Sequence, residues 1–152
     1  MKVLVWTDGA SRGNPGKAGI GVSINRYCQI DDYKEYIGIA TNNVAEYKAL
    51  IKAIDILKVQ PHDTIIFQSD SELMVNQVNG KYKVKNETLK LLNEEVLKKL
   101  QDKFDGRWSI EYIPREKNKD ADKLANEAID ESELEKTELK TESEDNFQLN
   151  FE

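Results

Sequence analysis

Chemistry in this 152-residue chain has to come from its acids, because His62 is the only histidine and Cys28 the only cysteine. Four carboxylates stand out by position. Asp8 ends a first apolar run, Glu46 opens an amphipathic stretch, Asp70 follows a second apolar run, and Asp122 opens a last helical stripe. In open α/β sheets ligands bind in the crevice outside the carboxyl ends of the strands, so Asp8 and Asp70 point into one site if their strands are neighbours. Glu46 and Asp122 would then reach in from the sides. Without His or Cys, such a group is a hard donor set made of oxygen alone. Each acid also has a plainer use. Residues 43–46 and 69–72 fit capping boxes, Asp122 suits a helix N-terminus, and Asp8 before Gly9 suits a turn.

Bringing these acids together requires a sheet with helices around it. Residues 2–7 read as a buried strand that stops at a turn-rich stretch holding Gly9, Gly13, Pro15 and Gly16. Residues 18–27 alternate around Ile20, Val22 and Ile24, and residues 30–39 alternate more weakly, which predicts an antiparallel meander. Then the period changes. Tyr47, Leu50, Ile51, Ile54 and Leu57 fall on one face of a helix over residues 43–58. Residues 64–68 read as a short buried strand and 71–78 as a short helix stopped at Gly80. Leu89, Leu92, Val96 and Leu100 mark a helix over 86–104; Trp108, Ile110 and Tyr112 mark a last strand; Ala121, Leu124, Ala125, Ala128 and Ile129 mark a closing helix. That order predicts a mixed α/β domain, three antiparallel strands first and later strands parallel through helical crossovers.

The residues around the acids are more specific than the acids themselves. Thr7-Asp8-Gly9-Ala10-Ser11-Arg12-Gly13-Asn14-Pro15-Gly16 follows the first strand, and Thr41-Asn42-Asn43 precedes Glu46. Ser69-Asp70-Ser71 follows the fourth strand, and Ala121-Asp122-Lys123-Leu124-Ala125 opens the last helix. Together, over residues 2–130, they resemble the type 1 ribonuclease H family in order and spacing. The resemblance implies a ribonuclease H-like fold with a five-stranded mixed sheet flanked by helices. It also implies an endoribonuclease that cleaves the RNA strand of an RNA–DNA hybrid, leaving 3′-hydroxyl and 5′-phosphate ends. Asp8, Glu46, Asp70 and Asp122 match the family's metal-binding catalytic acids. An oxygen-only set selects Mg²⁺ or Mn²⁺ over zinc, and phosphodiester hydrolysis suits two divalent ions about 3.5–4 Å apart. Two other functions are compatible with these residues: a DNA strand-transfer or integrase-type domain on the same fold, and a catalytically silent hybrid-binding module. The asparagines described next argue against the first, and the complete set of four acids argues against the second.

By the same resemblance, Gly13, Asn14, Asn42 and Asn43 lie beside the minor groove, where backbone and amide groups read the 2′-OH of RNA. Tyr82 and Asn86, with Lys81, Lys83 and Lys85 around them, look like a contact for DNA-strand phosphates. Two departures from the family stand out. The loop over residues 113–120 lacks the histidine many members carry, which leaves Arg115 as the nearest substitute. Residues 78–86 leave no room for the family's basic insertion, and no separate hybrid-binding domain is expected before Met1, so hybrid affinity is expected to be modest and salt-sensitive.

The formal net charge of −6 at first argues against a phosphate-bearing partner. Its location removes the objection. Eight acids and two bases beyond Asp130 carry all of it, and residues 1–130 balance at 20 acids and 20 bases. Residues 1–130 are therefore read as the catalytic domain, and 131–152 as an acidic, mostly disordered extension. At its end, Phe147-Gln148-Leu149-Asn150-Phe151 resembles short peptides that bind replication sliding clamps, through Gln148, Leu149 and Phe151. No run approaches the roughly 18 apolar residues of a membrane helix, no secretory signal opens the chain, and one cysteine suits a reducing compartment. The expectation is a cytoplasmic monomer.

Overall fold

The computed structural model describes residues 1–149, with side chains as far as Thr137. Strands β1 (Lys2–Gly13), β2 (Gly16–Arg26) and β3 (Gln29–Ala40) form the expected meander. Helix α1 (Asn42–Ile56) leads to β4 (Thr64–Ser69), followed by α2 (Glu72–Val78) and α3 (Glu87–Phe104). The chain then forms β5 (Trp108–Tyr112), a 3₁₀ turn (Arg115–Lys117) and α4 (Lys119–Leu149). The sheet order is β3-β2-β1-β4-β5, with β4 parallel to β1 and β5 parallel to β4. β1 therefore joins the antiparallel half to the parallel half.

Strand alternation assigns one sheet face to each helical layer. Val3, Val5, Ile65 and Phe67 are buried with Tyr47, Leu50 and Ile54 of α1 and Val96, Leu100 and Phe104 of α3. The rings of Phe67 and Phe104 meet in a tilted arrangement at 6.2 Å. α4 lies across β1, β2 and β3 on the opposite face. It comes down onto bare backbone there: a Cβ on Gly21 would sit 2.2 Å from Ala121 O, and one on Gly19 2.4 Å from Ala125 O.

One expectation needs correction. β1 does not end at Thr7. Its pairing with β4 ends at Thr7↔Ser69, but the ladder with β2 runs on to Gly13↔Gly16. The glycines of that stretch read as a turn by composition, yet Gly9 is a strand residue that makes room for α1. Beyond residue 130, α4 continues as helix through Leu149. Glu, Lys and Leu are strong helix formers, and the body holds the start of this segment. Arg12 pairs with Asp130 at 2.6 Å and Glu133 at 3.5 Å, and Lys34 with Glu131 at 2.6 Å. The sliding-clamp motif, with Gln148, Leu149 and Phe151, lies outside the residues whose side chains are described. Among the described residues no helix is long and apolar enough to cross a membrane.

Candidate active site

Three elements each deliver one acid to the carboxyl end of the parallel strands. Asp8 follows the last β1 residue paired with β4, Asp70 follows β4, and Glu46 comes from α1. One carboxylate oxygen from each lies within 4.8 Å of the other two. Neither capping box forms as expected, because the caps sit two residues away. Thr41 caps α1, its hydroxyl accepting from Val44 N at 3.2 Å, so Glu46 comes after the first turn. Ser71 caps α2, accepting from Met74 N at 3.2 Å, so Asp70 stays outside that helix. Both carboxylates are thereby free of helix-capping duty. Glu46 Oε1 accepts from Gly9 N at 2.9 Å and Oε2 from the Ser69 hydroxyl at 3.4 Å.

Asp122 does occupy the first turn of α4. Its Oδ1 accepts from Asn126 Nδ2 at 3.3 Å and lies 3.9 Å from Arg115 Nη2. All four acids and Arg115 line one cleft of about 510 Å³. Close approach of helices to the sheet makes the convergence possible. A Cβ on Gly9 would sit 2.4 Å from Glu46 N.

Burial, then the charge of Glu46 and a hydrogen bond with it, pushes the Asp8 carboxyl well above its ordinary value; Asp70 and Asp122 add to the effect. Burial also raises Glu46, although hydrogen bonds from Asp8, Gly9 and Ser69 oppose it. Among the described residues Arg115 is the one basic side chain on the cleft. Buried carboxylates short of counter-charge, contributed by three elements and offering only oxygen, fit a divalent metal. A pH dependence follows. Groups whose folded pKa is raised stabilise the fold fully below the unfolded value, here 3.8 for Asp8 and 4.5 for Glu46, and that stability is lost as pH rises through the folded values. In EDTA, Asp8→Asn is therefore expected to gain melting temperature over the native protein increasingly from pH 5 to pH 8. A constant difference in paired thermal scans would show that the Asp8 carboxyl is not raised in the fold.

The residues expected to face substrate fall into two groups. Asn42 lines the cleft, and Asn14 is bonded to it. Asn14 Oδ1 accepts from Asn42 N at 3.2 Å, and Asn42 Oδ1 accepts from Ser11 N at 3.1 Å. Both amide oxygens are thus occupied, leaving the amino groups as donors on the rim. Gly13 has φ 122, a conformation that favours glycine, and Asn43 is exposed beside Asn42. Tyr82, Lys83, Lys85 and Asn86 are exposed in the connection between α2 and α3, and none of them lines the cleft. Asn86 also caps α3, its Oδ1 accepting from Leu89 N at 3.0 Å.

Sequence reasoning missed Ser69, Asn118, Asn126 and Tyr112. Asn126 was findable, four residues after Asp122 on a helix. Ser69 and Asn118 bond across 23 and 111 residues, a separation that leaves no local pattern. Tyr112, half-exposed on the cleft, looked like an ordinary strand residue.

Comparison with known proteins adds to this geometry. The family model described as reverse transcriptase-like matches residues 6–128. A bifunctional protein of Mycobacterium tuberculosis is 40% identical over 134 residues; the match covers 86% of this chain but 36% of the relative. The chain thus spans only about a third of the length of these mycobacterial relatives. A Clostridium botulinum protein named ribonuclease H is 34% identical, with 86% of this chain and 97% of the relative covered. Among solved structures, LC11-RNase H1 in complex with an RNA/DNA hybrid matches with a TM-score of 0.78 and 40% identity, covering 86% of this chain and 98% of the other.

Proposed function

The chain belongs to the ribonuclease HI-like family, and on that premise we propose that it is an endoribonuclease hydrolysing the RNA strand of RNA–DNA hybrids to 3′-hydroxyl and 5′-phosphate ends. The observation that carries this reading is the convergence of Asp8, Glu46 and Asp70 oxygens within 4.8 Å, on a cleft that Asp122 shares. Support for the substrate comes from LC11-RNase H1, whose structure contains an RNA/DNA hybrid.

Two Mg²⁺ or Mn²⁺ ions held by Asp8, Glu46, Asp70 and Asp122 would supply charge neutralisation and an acidified water. The chain's own groups do the rest. Gly9 N and the Ser69 hydroxyl orient the Glu46 carboxylate, and Asn126 orients that of Asp122, as outer partners of metal-binding carboxylates do. Arg115 is 80% exposed, so its side chain is able to move from Asp122 onto the scissile phosphate. An arginine cannot give up its proton. In place of the absent loop histidine it stabilises charge on the scissile phosphate rather than carrying a proton. The amino groups of Asn14 and Asn42 donate to 2′-hydroxyls and minor-groove acceptors, with Gly13 and Asn43 alongside.

Tyr82, Lys83, Lys85 and Asn86 contact the phosphates of the DNA strand. Lys85→Ala is expected to weaken hybrid binding uniformly across sequences and to lower the slope of log K against log salt by about 1. Fluorescence anisotropy at several salt concentrations measures this, and an unchanged slope would remove Lys85 from the interface. Residues 1–130 act as the catalytic unit, working as a monomer in the cytoplasm, with residues 131–152 as an acidic arm. Contact with a sliding clamp through Gln148, Leu149 and Phe151 is tested by pull-down after removal of residues 146–152.

One gel tests the main proposal. A labelled hybrid, a DNA duplex and an RNA duplex are incubated with Mg²⁺ or Mn²⁺. Cleavage of the hybrid's RNA strand is expected. Cutting of the DNA duplex would support a strand-transfer enzyme instead, and binding without any cutting a silent module.

A further inference from the structure

Asn118, just before α4, is 1% exposed and bonded in two directions. Its Nδ2 donates to the carbonyl of Thr7 at 2.9 Å, and its backbone carbonyl accepts from Asp122 N at 3.1 Å. One side of the residue thus grips β1 immediately before Asp8, and the other grips Asp122. The ion pairs that hold α4 to the sheet attach farther along the helix, at Glu127, Asp130, Glu131 and Glu133. At the Asp122 end the side-chain bond from Asn118 links helix to strand. The bond leaves other polar atoms unmatched: Asn118 Oδ1 and Thr7 Oγ1 are buried and have no hydrogen-bond partner. An apolar residue at position 118 would add no unpaired acceptor of its own, so the donor to Thr7 is what the amide contributes there.

We propose that Asn118 is a positioning residue whose amide locks the start of α4 to β1, holding Asp122 at working distance from Asp8. This rests on the metal-dependent hydrolase reading. The lock acts through geometry alone, since Asn118 does not line the cleft. Asn118→Leu is the informative variant. It keeps the volume and loses the donor, and it adds no charge. Weaker metal binding in that variant therefore cannot come from charge.

Calorimetric titration with Mn²⁺ is expected to show affinity reduced about 10- to 100-fold, the usual effect of removing an outer partner of a metal ligand. kcat on the hybrid should fall by a similar factor with KM within about twofold, and excess Mn²⁺ should restore part of kcat. Asn118→Ala should behave in the same way. Native Mn²⁺ affinity and kcat in a folded Asn118→Leu protein would overturn the proposal. So would losses that merely follow the fraction unfolded in a thermal scan, or failure of both variants to show a cooperative transition, either of which would make Asn118 a fold determinant. If the native protein binds Mn²⁺ yet cuts no hybrid, the hydrolase reading fails, while the calorimetry still decides the positioning role.

Discussion

Asp70→Asn is expected to abolish hybrid cleavage, a fall of about 10³-fold or more in kcat, while hybrid binding stays near native. Removing a charge that acts on the transition state in a water-poor site costs at least as much as removing one oxyanion donor. Two stability changes should accompany the loss. Without metal the variant should melt higher than the native protein, because the charge of Asp70 is among the causes that push Asp8 and Glu46 upward. With metal the order should reverse. A cation present at 100 times its dissociation constant stabilises by about 2.7 kcal/mol, which is about 5–10 °C for a domain of this size. The native protein should gain that shift in millimolar Mg²⁺ and Asp70→Asn should lose it. Identical shifts in both proteins would mean that the three carboxylates do not share a metal.

Gly9→Ala should be nearly as damaging, although it removes nothing. The added methyl would lie 2.2 Å from Ala45 C and 2.4 Å from Ala45 O and Glu46 N, all backbone atoms of α1. Backbone in a packed helix does not swing aside, so α1 must lift from the sheet, at a cost of about 1–3 kcal/mol or more. Lifting α1 stretches the 2.9 Å bond from Gly9 N to Glu46 and moves the carboxylate out of the cluster. A misplacement of about 1 Å is able to cost about 10²-fold in rate. The expected result is a lower melting temperature with kcat reduced and KM little changed. Gly21→Ala, whose methyl would meet Ala121 O at 2.2 Å, should act the same way through Asp122. Native kcat in a folded Gly9→Ala protein would show that helix height over the sheet does not set the site.

Much of this fold was legible because its signals are local. Alternation in β2 and the helical stripe of Tyr47, Leu50 and Ile54 each lie within one element, and the structure buries those residues as the periodicity requires. The strand directions followed from connection lengths, since parallel partners need a crossover and antiparallel ones do not; the order in the sheet came from the structure. Errors arose where a second element decides a local outcome. Gly9 to Gly13 has the composition of a turn, but pairing with β2 makes it strand. Asn43 and Ser69 look like caps, but Thr41 and Ser71 do the capping. Asn86 caps α3 through its oxygen, which leaves its amino group free for the phosphate contact proposed above.

The amino-acid sequence by itself determined the four acids, the elements that carry them and the asparagine-bearing loops beside them, because residue type and short-range period survive without a fold. Only the tertiary structure decided that Asp8, Glu46 and Asp70 share a cleft, that Gly9 and Gly21 set the height of the helices bearing Glu46 and Asp122, and that Asn118 joins β1 to α4. Those facts depend on contacts across 23 to 111 residues. They also depend on burial, which raises Asp8 and Glu46 and exists only once the chain has closed around them.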